Sequence, residues 1–292
     1  MNTIRELLSH TKLDKNDARF LLGHLTQKYL EWPRSYLISR DQESLPKPLI
    51  TEWHAIEKQR LEGVPVAYLI GCKAFHGIEL LVNESVLIPR PETELLVDLA
   101  LDDINFILSS QKSDQTIRIL DLGTGSGAIA LAIAHSLNTI QNEDKNIQIL
   151  GIDLSSAAIE LARQNANALN LANKVHFLKS NWYQSIPSSY LNNVDLIVSN
   201  PPYIRAGDPH LQEGDLRFEP KLALTDNNDG LDCIRAILAG GRQYLKKGGL
   251  LAMEHGYAQG AQVRSLMSLG GYQEIVSQPD LAGHLRVTLG RT

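Results

Sequence analysis

Cysteine is nearly absent: the 292 residues hold two, Cys72 and Cys233, far apart in the chain. No CxxC pair or Cys/His cluster lies beside either one, which excludes a disulfide framework and a zinc centre and leaves both expected as buried thiols. Long hydrophobic runs are also missing. No stretch approaches the ~20 uninterrupted apolar residues that span a bilayer, and the opening MNTIRELLSHTKLDKNDARF has no apolar signal-peptide core. The expectation is a cytoplasmic protein without a membrane partner. Positive charge is scarce too: 28 Lys+Arg stand against 33 Asp+Glu, net −5. Residues 1–80 carry 11 and 10 of these, net +1, and residues 81–292 the remaining 17 and 23, net −6. Phosphate neutralisation supplies much of the affinity for nucleic acid, so this balance argues against a direct nucleic-acid partner. A hydrophobic fraction of 43% and scattered Gly and Pro exclude disordered or collagen-like classes.

What is present divides in two, as the length prior of ~100–200 residues per domain allows. Residues 2–62 show helical spacing, Ile4, Leu7, Leu8 and then Ala18, Leu21, Leu22, Leu25, broken at Trp32-Pro33 and Leu45-Pro46-Lys47-Pro48. AYLIGCKAFHGIELLVN, residues 67–83, alternates around Gly71 and Gly77 and reads as a strand pair. The proline-bounded turn Ile88-Pro89-Arg90-Pro91 follows, and Pro91-Glu92-Thr93-Glu94 opens a helix to about Leu108. The boundaries drawn are a helical domain at 1–66, a hairpin and hinge at 67–92, and a catalytic domain at 93–292.

After Gln111-Lys112-Ser113-Asp114 the pattern changes to short apolar runs alternating with helical segments. Strands are predicted at 117–122, 147–153, 175–178, 194–199 and 250–255, with helices at 127–137, 155–170, 231–245 and 258–269. This is the signature of an α/β fold, a mostly parallel sheet covered on both faces. Tyr272–Val276 and Leu285–Leu289 have no helix between them and read as an antiparallel pair closing one edge.

Asp121-Leu122-Gly123-Thr124-Gly125-Ser126-Gly127 follows a strand and leads into an apolar helix, so its glycines can turn the backbone sharply beneath a nucleotide-type cofactor. Asp153 ends the next strand, where a carboxylate can hold ribose hydroxyls. The loop alone does not choose between S-adenosylmethionine and a nicotinamide cofactor, because Gly123, Gly125 and Ala128 also satisfy G-x-G-x-x-A. Asp121, placed to meet a cationic amino-acid group, favours the former.

A second motif carries more weight. VDLIVSNPPYI runs a buried-type strand into two prolines, so Asn200 stands at a strand's carboxyl end near the glycine loop. Pro201 restricts Asn200 to extended backbone, and both prolines fix their own φ. An amide or aromatic-amine nitrogen is a poor nucleophile because its lone pair is delocalised, a resonance reflected in the ~18–20 kcal/mol barrier of peptide rotation. Two acceptors, the Asn200 side-chain oxygen and the Pro201 carbonyl, can receive its two N–H bonds and stabilise positive charge as it develops. Tyr203 can stack on the planar group, and alignment with a sulfonium methyl can contribute ~7–11 kcal/mol. No metal and no covalent enzyme intermediate is needed.

The ordered set GVPVAYLIG (63–71), LIPRPETE (87–94), ILDLGTGSGAIALA (119–132), SNW (180–182), IVSNPPYI (197–204) and DLRFEPKLAL (215–224) resembles the bacterial release factor glutamine methyltransferases over nearly the whole chain. The resemblance implies a Rossmann-like, seven-stranded class I methyltransferase sheet, mostly parallel with the last strand antiparallel, behind a small helical domain that contacts the substrate. It implies transfer of methyl from S-adenosyl-L-methionine, leaving S-adenosyl-L-homocysteine, to N5 of the glutamine in the Gly-Gly-Gln motif of peptide chain release factors, a protein methylation in translation termination. Gly123, Thr124, Gly125, Ser126 and Gly127 would then line the methionine part of the cofactor. Asp153 would bind ribose, Trp182 would lie against adenine, and Asn200, Pro201, Pro202 and Tyr203 would hold the glutamine beside the cofactor. Asn181 stands where family members often have Asp before the Trp, which removes charge assistance toward the adenine amine.

Arg90 reads either as lining the site's mouth or as pairing with a surface acid. Arg205–Gly230 is long enough for a lid over the substrate. The histidines, His255 included, and Phe75 read as packing or surface residues, and a monomer is expected. Two rival functions share parts of the pattern: a nucleic-acid methyltransferase acting on adenine N6 or guanine N2, whose amine offers the same two N–H bonds, and a nicotinamide-dependent oxidoreductase.

Overall fold

Helices α1 (Ile4–His10), α2 (Lys15–Leu30), α3 (Tyr36–Ser39), α4 (Lys47–Leu61) and α5 (Val66–Ile70) open the chain in the computed structural model, which describes residues 2–110, 116–139 and 146–292. The first starts on a capping box, Thr3 accepting from the Glu6 backbone while the Glu6 carboxylate reaches back. Ile4, Leu21, Leu22, Leu25, Leu49 and Trp53 are buried together, so the period-3.6 spacing of residues 2–62 converges on one small core. Residues 1–72 and 213–218 form this compact unit, in which Arg60 pairs with Asp17 and Asp215, and Arg217 donates to the Glu62 carbonyl.

One expectation fails locally. The predicted strand pair over 67–83 begins instead with α5, and strands β1 (Cys72–Phe75) and β2 (Ile78–Leu81) occupy only its second half. Val66, Leu69 and Ile70 pack on the helical core at i, i+3, i+4 spacing, a period the alternation around Gly71 masks. The hairpin turns through His76 and Gly77, both at positive φ (44° and 79°), as a tight right-twisted connection demands.

The second unit, residues 73–212 and 219–292, carries a seven-stranded sheet. Its elements are α6 (Glu94–Ser110), β3 (Ile117–Leu122), α7 (Ala128–Thr139), β4 (Ile147–Asp153), α8 (Ser156–Ala168), β5 (Val175–Lys179), β6 (Val194–Ser199), α9 (Lys221–Leu224), α10 (Asp232–Tyr244), β7 (Leu245–Glu254), α11 (Gly260–Leu269), β8 (Gln273–Pro279) and β9 (Leu285–Arg291). The strand order is β5-β4-β3-β6-β7-β9-β8; the pairs from β5 to β7 are parallel and β9 runs antiparallel to both its neighbours. Every residue of β6 is buried, as a central parallel strand covered on both faces requires. Two apolar clusters cover the two faces, one holding Ile119, Leu131 and Leu196, the other Leu120, Ile197 and Leu251. The polar run 111–114 lies outside the described residues. Among the described residues no helix is long and apolar enough to cross a membrane.

The chain builds β3, β4 and β5 toward one edge, then returns to place β6 on the other side of β3. This reversal brings the loops after β3 and β6 side by side at the strands' carboxyl ends. Leu122 is in register with Ser199, whose hydroxyl donates to the Leu122 carbonyl at 2.6 Å.

Candidate active site

The loop after β3 is shaped by main-chain geometry. Gly123, Gly125 and Gly127 have φ of 76°, 56° and 83°, values at which a side chain would be strained. The Gly123 and Thr124 N–H groups both donate to the Ile152 carbonyl at 2.8 Å, and the Gly125 N–H donates to the Asp153 carboxylate at 2.9 Å. Gly127 faces protein: a Cβ there would lie 2.9 Å from Leu131 and 3.1 Å from Phe177. At Gly125 a Cβ would meet nothing within 4 Å, so the loop leaves an open cradle there.

Asp121 sits beneath this loop rather than in the cavity. It is fully buried, one oxygen accepting from the Thr124 hydroxyl at 2.6 Å and the Ala130 N–H at 3.2 Å while Oδ1 has no partner, and burial pushes its pKa up to about 7. The expected meeting of Asp121 with a cationic group is therefore replaced by support of the loop. Asp153 does face the cavity and accepts from the Ser155 N–H at 2.8 Å; burial raises its pKa, opposed by the backbone donors of Ser155 and Gly125.

The cavity encloses about 330 Å³. Arg90, Gly123, Thr124, Gly125, Ser126, Asp153, Trp182, Asn200 and Pro202 all line it, whereas Gly127, Pro201 and Tyr203 do not. Trp182 adopts φ 47°, a left-handed conformation unusual for an aromatic residue. Pro220, Leu222, Thr225 and Asp226 bring the second half of the 205–230 segment to the cavity wall. Arg90 unites its two readings, lining the cavity while pairing with Glu219, an acid that is buried rather than on the surface. Glu219 also accepts from the Ile88 N–H at 3.1 Å. Neither cysteine is fully buried, and Cys233 borders the cavity with its pKa pushed up to about 11, burial outweighing the nearby Asp226 and Asp232 charges in that effect. Phe75 and His255 are packing residues, as expected, His255 bonding to Thr288 at 2.7 Å.

Asn200 lies beside the glycine loop at the strand ends; a Cβ on Gly123 would lie 4.0 Å from the Asn200 carbonyl oxygen. Its Nδ2 donates to the Thr93 hydroxyl at 3.1 Å, and Thr93 donates to Glu254 at 2.6 Å. The second oxygen of Glu254 accepts from the Tyr203 hydroxyl at 3.1 Å. Burial raises Glu254 to about 7 against the pull of these two donors, and burial followed by the Glu254 charge raises the Tyr203 phenol. Gln259 donates to the Tyr203 carbonyl at 3.0 Å and the Gly230 carbonyl at 3.2 Å, tying the 205–230 segment together at its ends. Thr93, Glu254 and Gln259 were missed by sequence reasoning. The available signal was a lone acid closing the apolar strand LLAME, the same placement that singled out Asp153.

The cavity fits S-adenosylmethionine. Its charged lining residues are Asp153, Asp226 and Arg90, and the arginine is neutralised by Glu219. An acidic pocket with an open glycine cradle, a ribose-capable carboxylate and an indole suits a cationic adenosyl group. It offers no unpaired cation, among the described residues, to a dinucleotide's pyrophosphate.

Comparison with known proteins agrees with this geometry. A family model described as a methyltransferase domain matches residues 113–282, and one described as the PrmC N-terminal domain matches residues 1–71. Curated relatives named release factor glutamine methyltransferase include one from Burkholderia pseudomallei, 44% identical over 99% of this chain and 96% of its own length. Another, from Neisseria gonorrhoeae, is 41% identical over 99% and 97%. A third, from Vibrio cholerae, is 44% identical over 94% and 88%. Among solved structures, the hMettl16 catalytic domain in complex with a 3'UTR hairpin superposes with a TM-score of 0.55 at 13% identity, covering 93% of this chain and 90% of that one, a likeness of fold alone.

Proposed function

The chain belongs to the release factor glutamine methyltransferase family, and from that premise we propose that Asn200, Pro201, Pro202 and Tyr203 hold the glutamine side chain of a release factor beside the Gly123–Gly127 loop. The enzyme is an S-adenosylmethionine-dependent protein-glutamine methyltransferase acting on release factors. The target nitrogen is N5 of the glutamine in the Gly-Gly-Gln motif. What carries this reading is the Asn200 amide: its nitrogen is tied to Thr93, so its oxygen remains as the acceptor at the cavity wall.

S-adenosylmethionine supplies a methyl group on a sulfonium, an electrophile that needs no further activation. Asp153 would hold its ribose hydroxyls, Trp182 would lie against the adenine, and the 123–127 loop would take the methionine part. The protein must act on the nucleophile. Asn200 Oδ1 and the Pro201 carbonyl accept the two N–H bonds and stabilise positive charge as it grows on the nitrogen, and one of the two N–H protons leaves to solvent once the nitrogen carries the methyl. The rigid Pro-Pro turn keeps both acceptors in place without reorganisation. Arg90, fixed by Glu219, holds the wall of the site beside Thr93. Residues 1–66 provide the surface that recognises the release factor, and the enzyme works as a cytoplasmic monomer without direct nucleic-acid contact, in keeping with the acidic balance of residues 81–292.

The test is incubation with methyl-labelled S-adenosylmethionine and a purified release factor, followed by peptide mapping. One label on the Gly-Gly-Gln glutamine is expected. Label confined to added DNA or RNA would favour an amino methyltransferase of nucleic acid and sink the proposal.

A further inference from the structure

The order of hydrogen bonds around Thr93 determines which way round the Asn200 amide lies. Thr93 is 4% exposed and Glu254 1% exposed, so neither exchanges its partners with bulk water. A hydroxyl has one proton and two lone pairs, and Glu254 in its ionised form, which the Thr93 and Tyr203 donors favour, has lone pairs only. The Thr93 proton goes to Glu254, 2.6 Å away, and its oxygen is then left as an acceptor toward Asn200. Of the two ends of the Asn200 amide, only the nitrogen can answer an acceptor, and it does so at 3.1 Å. A flipped amide would set Oδ1 against the Thr93 oxygen with no proton between them. The same carboxylate takes the Tyr203 hydroxyl proton at 3.1 Å, so one buried acid holds the first and last residues of the Asn-Pro-Pro-Tyr turn.

We infer that Glu254, acting through Thr93, is a positioning residue that keeps the Asn200 amide oxygen toward the substrate nitrogen and, through the Tyr203 phenol, fixes the far end of the turn. The inference rests on the reading of Asn200 as an acceptor. Glu254 ends β7, Thr93 precedes α6 and Asn200 follows β6, so three elements distant in sequence share one polarity.

The experiment compares methyl transfer to a release factor by the wild type, Asn200→Ala, Thr93→Val and Thr93→Ser. Thr93→Val, which keeps the shape but has no proton to give and no lone pair to offer, is expected to lower kcat by about 10- to 100-fold with KM for S-adenosylmethionine nearly unchanged. Thr93→Ser, which restores the hydroxyl, is expected within about 3-fold of wild type. Wild-type kcat in Asn200→Ala would overturn the acceptor reading itself. A slow Asn200→Ala beside a fully active Thr93→Val, or a Thr93→Ser as slow as Thr93→Val, would overturn the present inference and leave that reading standing. If Thr93→Val does not fold, hydrogen exchange of the wild-type side-chain amides gives the answer. A protected Asn200 Nδ2 proton, assigned by its loss in Asn200→Ala, is expected, and fast exchange of both protons overturns the inference.

Discussion

Along the Gly123–Gly127 wall of the cavity, shape is held mostly by main chain: three glycines at positive φ and two N–H hydrogen bonds to the Ile152 carbonyl, with the Asp153 and Asp121 carboxylates as the side-chain acceptors. Along the Asn200–Tyr203 wall it is held by side chains from distant elements, Thr93, Glu254 and Gln259. A backbone-held wall tolerates change in its neighbours but not in its glycines. A wall held by side chains loses its geometry when any one partner is removed. On the proposed roles of the two walls, binding the cofactor and orienting one particular nitrogen rest on different physical supports.

The largest effect that separates the walls is expected from Asn200→Ala. Removing an acceptor for developing charge should slow methyl transfer by about 10²–10³-fold. Affinity for S-adenosylmethionine, measured by calorimetry, should stay within a few-fold; loss of both together would show that the walls act as one. Gln259→Ala comes next. It removes two donors to the Tyr203 and Gly230 carbonyls and the acceptor for the Gly256 N–H, and should cost about 1–3 kcal/mol in stability. A calorimetric melt reads this as a lower Tm accompanied by slower transfer; an unchanged Tm would mean that the ends of the 205–230 segment are held elsewhere.

Gly125→Ala probes the other wall. The left-handed φ costs about 1–2 kcal/mol with a Cβ, which here projects into the open cradle. Cofactor affinity should fall by about 10-fold, while kcat at saturating cofactor stays near wild type. A fall in kcat alone would reverse the assignment of the two walls.

The smallest effect concerns pH. Asp121 titrates at about 7 in the fold against 3.8 for the free side chain. The native state thus keeps a proton that the unfolded chain releases, and the stability this contributes is fully present below about 3.8 and lost as pH rises through about 7. Glu254, at about 7 against 4.5, acts in the same direction. Asp121→Asn should therefore flatten, without abolishing, the decline of Tm across that window; a profile parallel to wild type would remove Asp121 as its source.

Much of the molecule was legible in its sequence because local rules suffice there. Apolar runs such as VDLIVS must be buried strands, glycines after a strand mark a sharp turn, and Pro201-Pro202 fix their own backbone. Misreading Ala67–Ile70 as strand came from the shortness of α5, whose five residues span too little of the 3.6 period to stand out against the surrounding alternation. Asp121 misled for another reason. Sequence places it beside the loop, and only packing decides whether it faces the cavity or the core.

By itself the sequence determined the parallel sheet, the glycine loop, the Asn-Pro-Pro-Tyr turn and the family they belong to, since each is written in contiguous residues. Only the tertiary structure decided that Thr93, Glu254 and Gln259 hold that turn and that the Arg90 charge is matched by Glu219. Hydrogen-bond polarity is set by which donors and acceptors meet across separate elements, and Thr93 and Glu254 stand 161 residues apart. No periodicity or spacing along the chain encodes such a meeting; it exists once the β3–β6 reversal has brought the strand ends together.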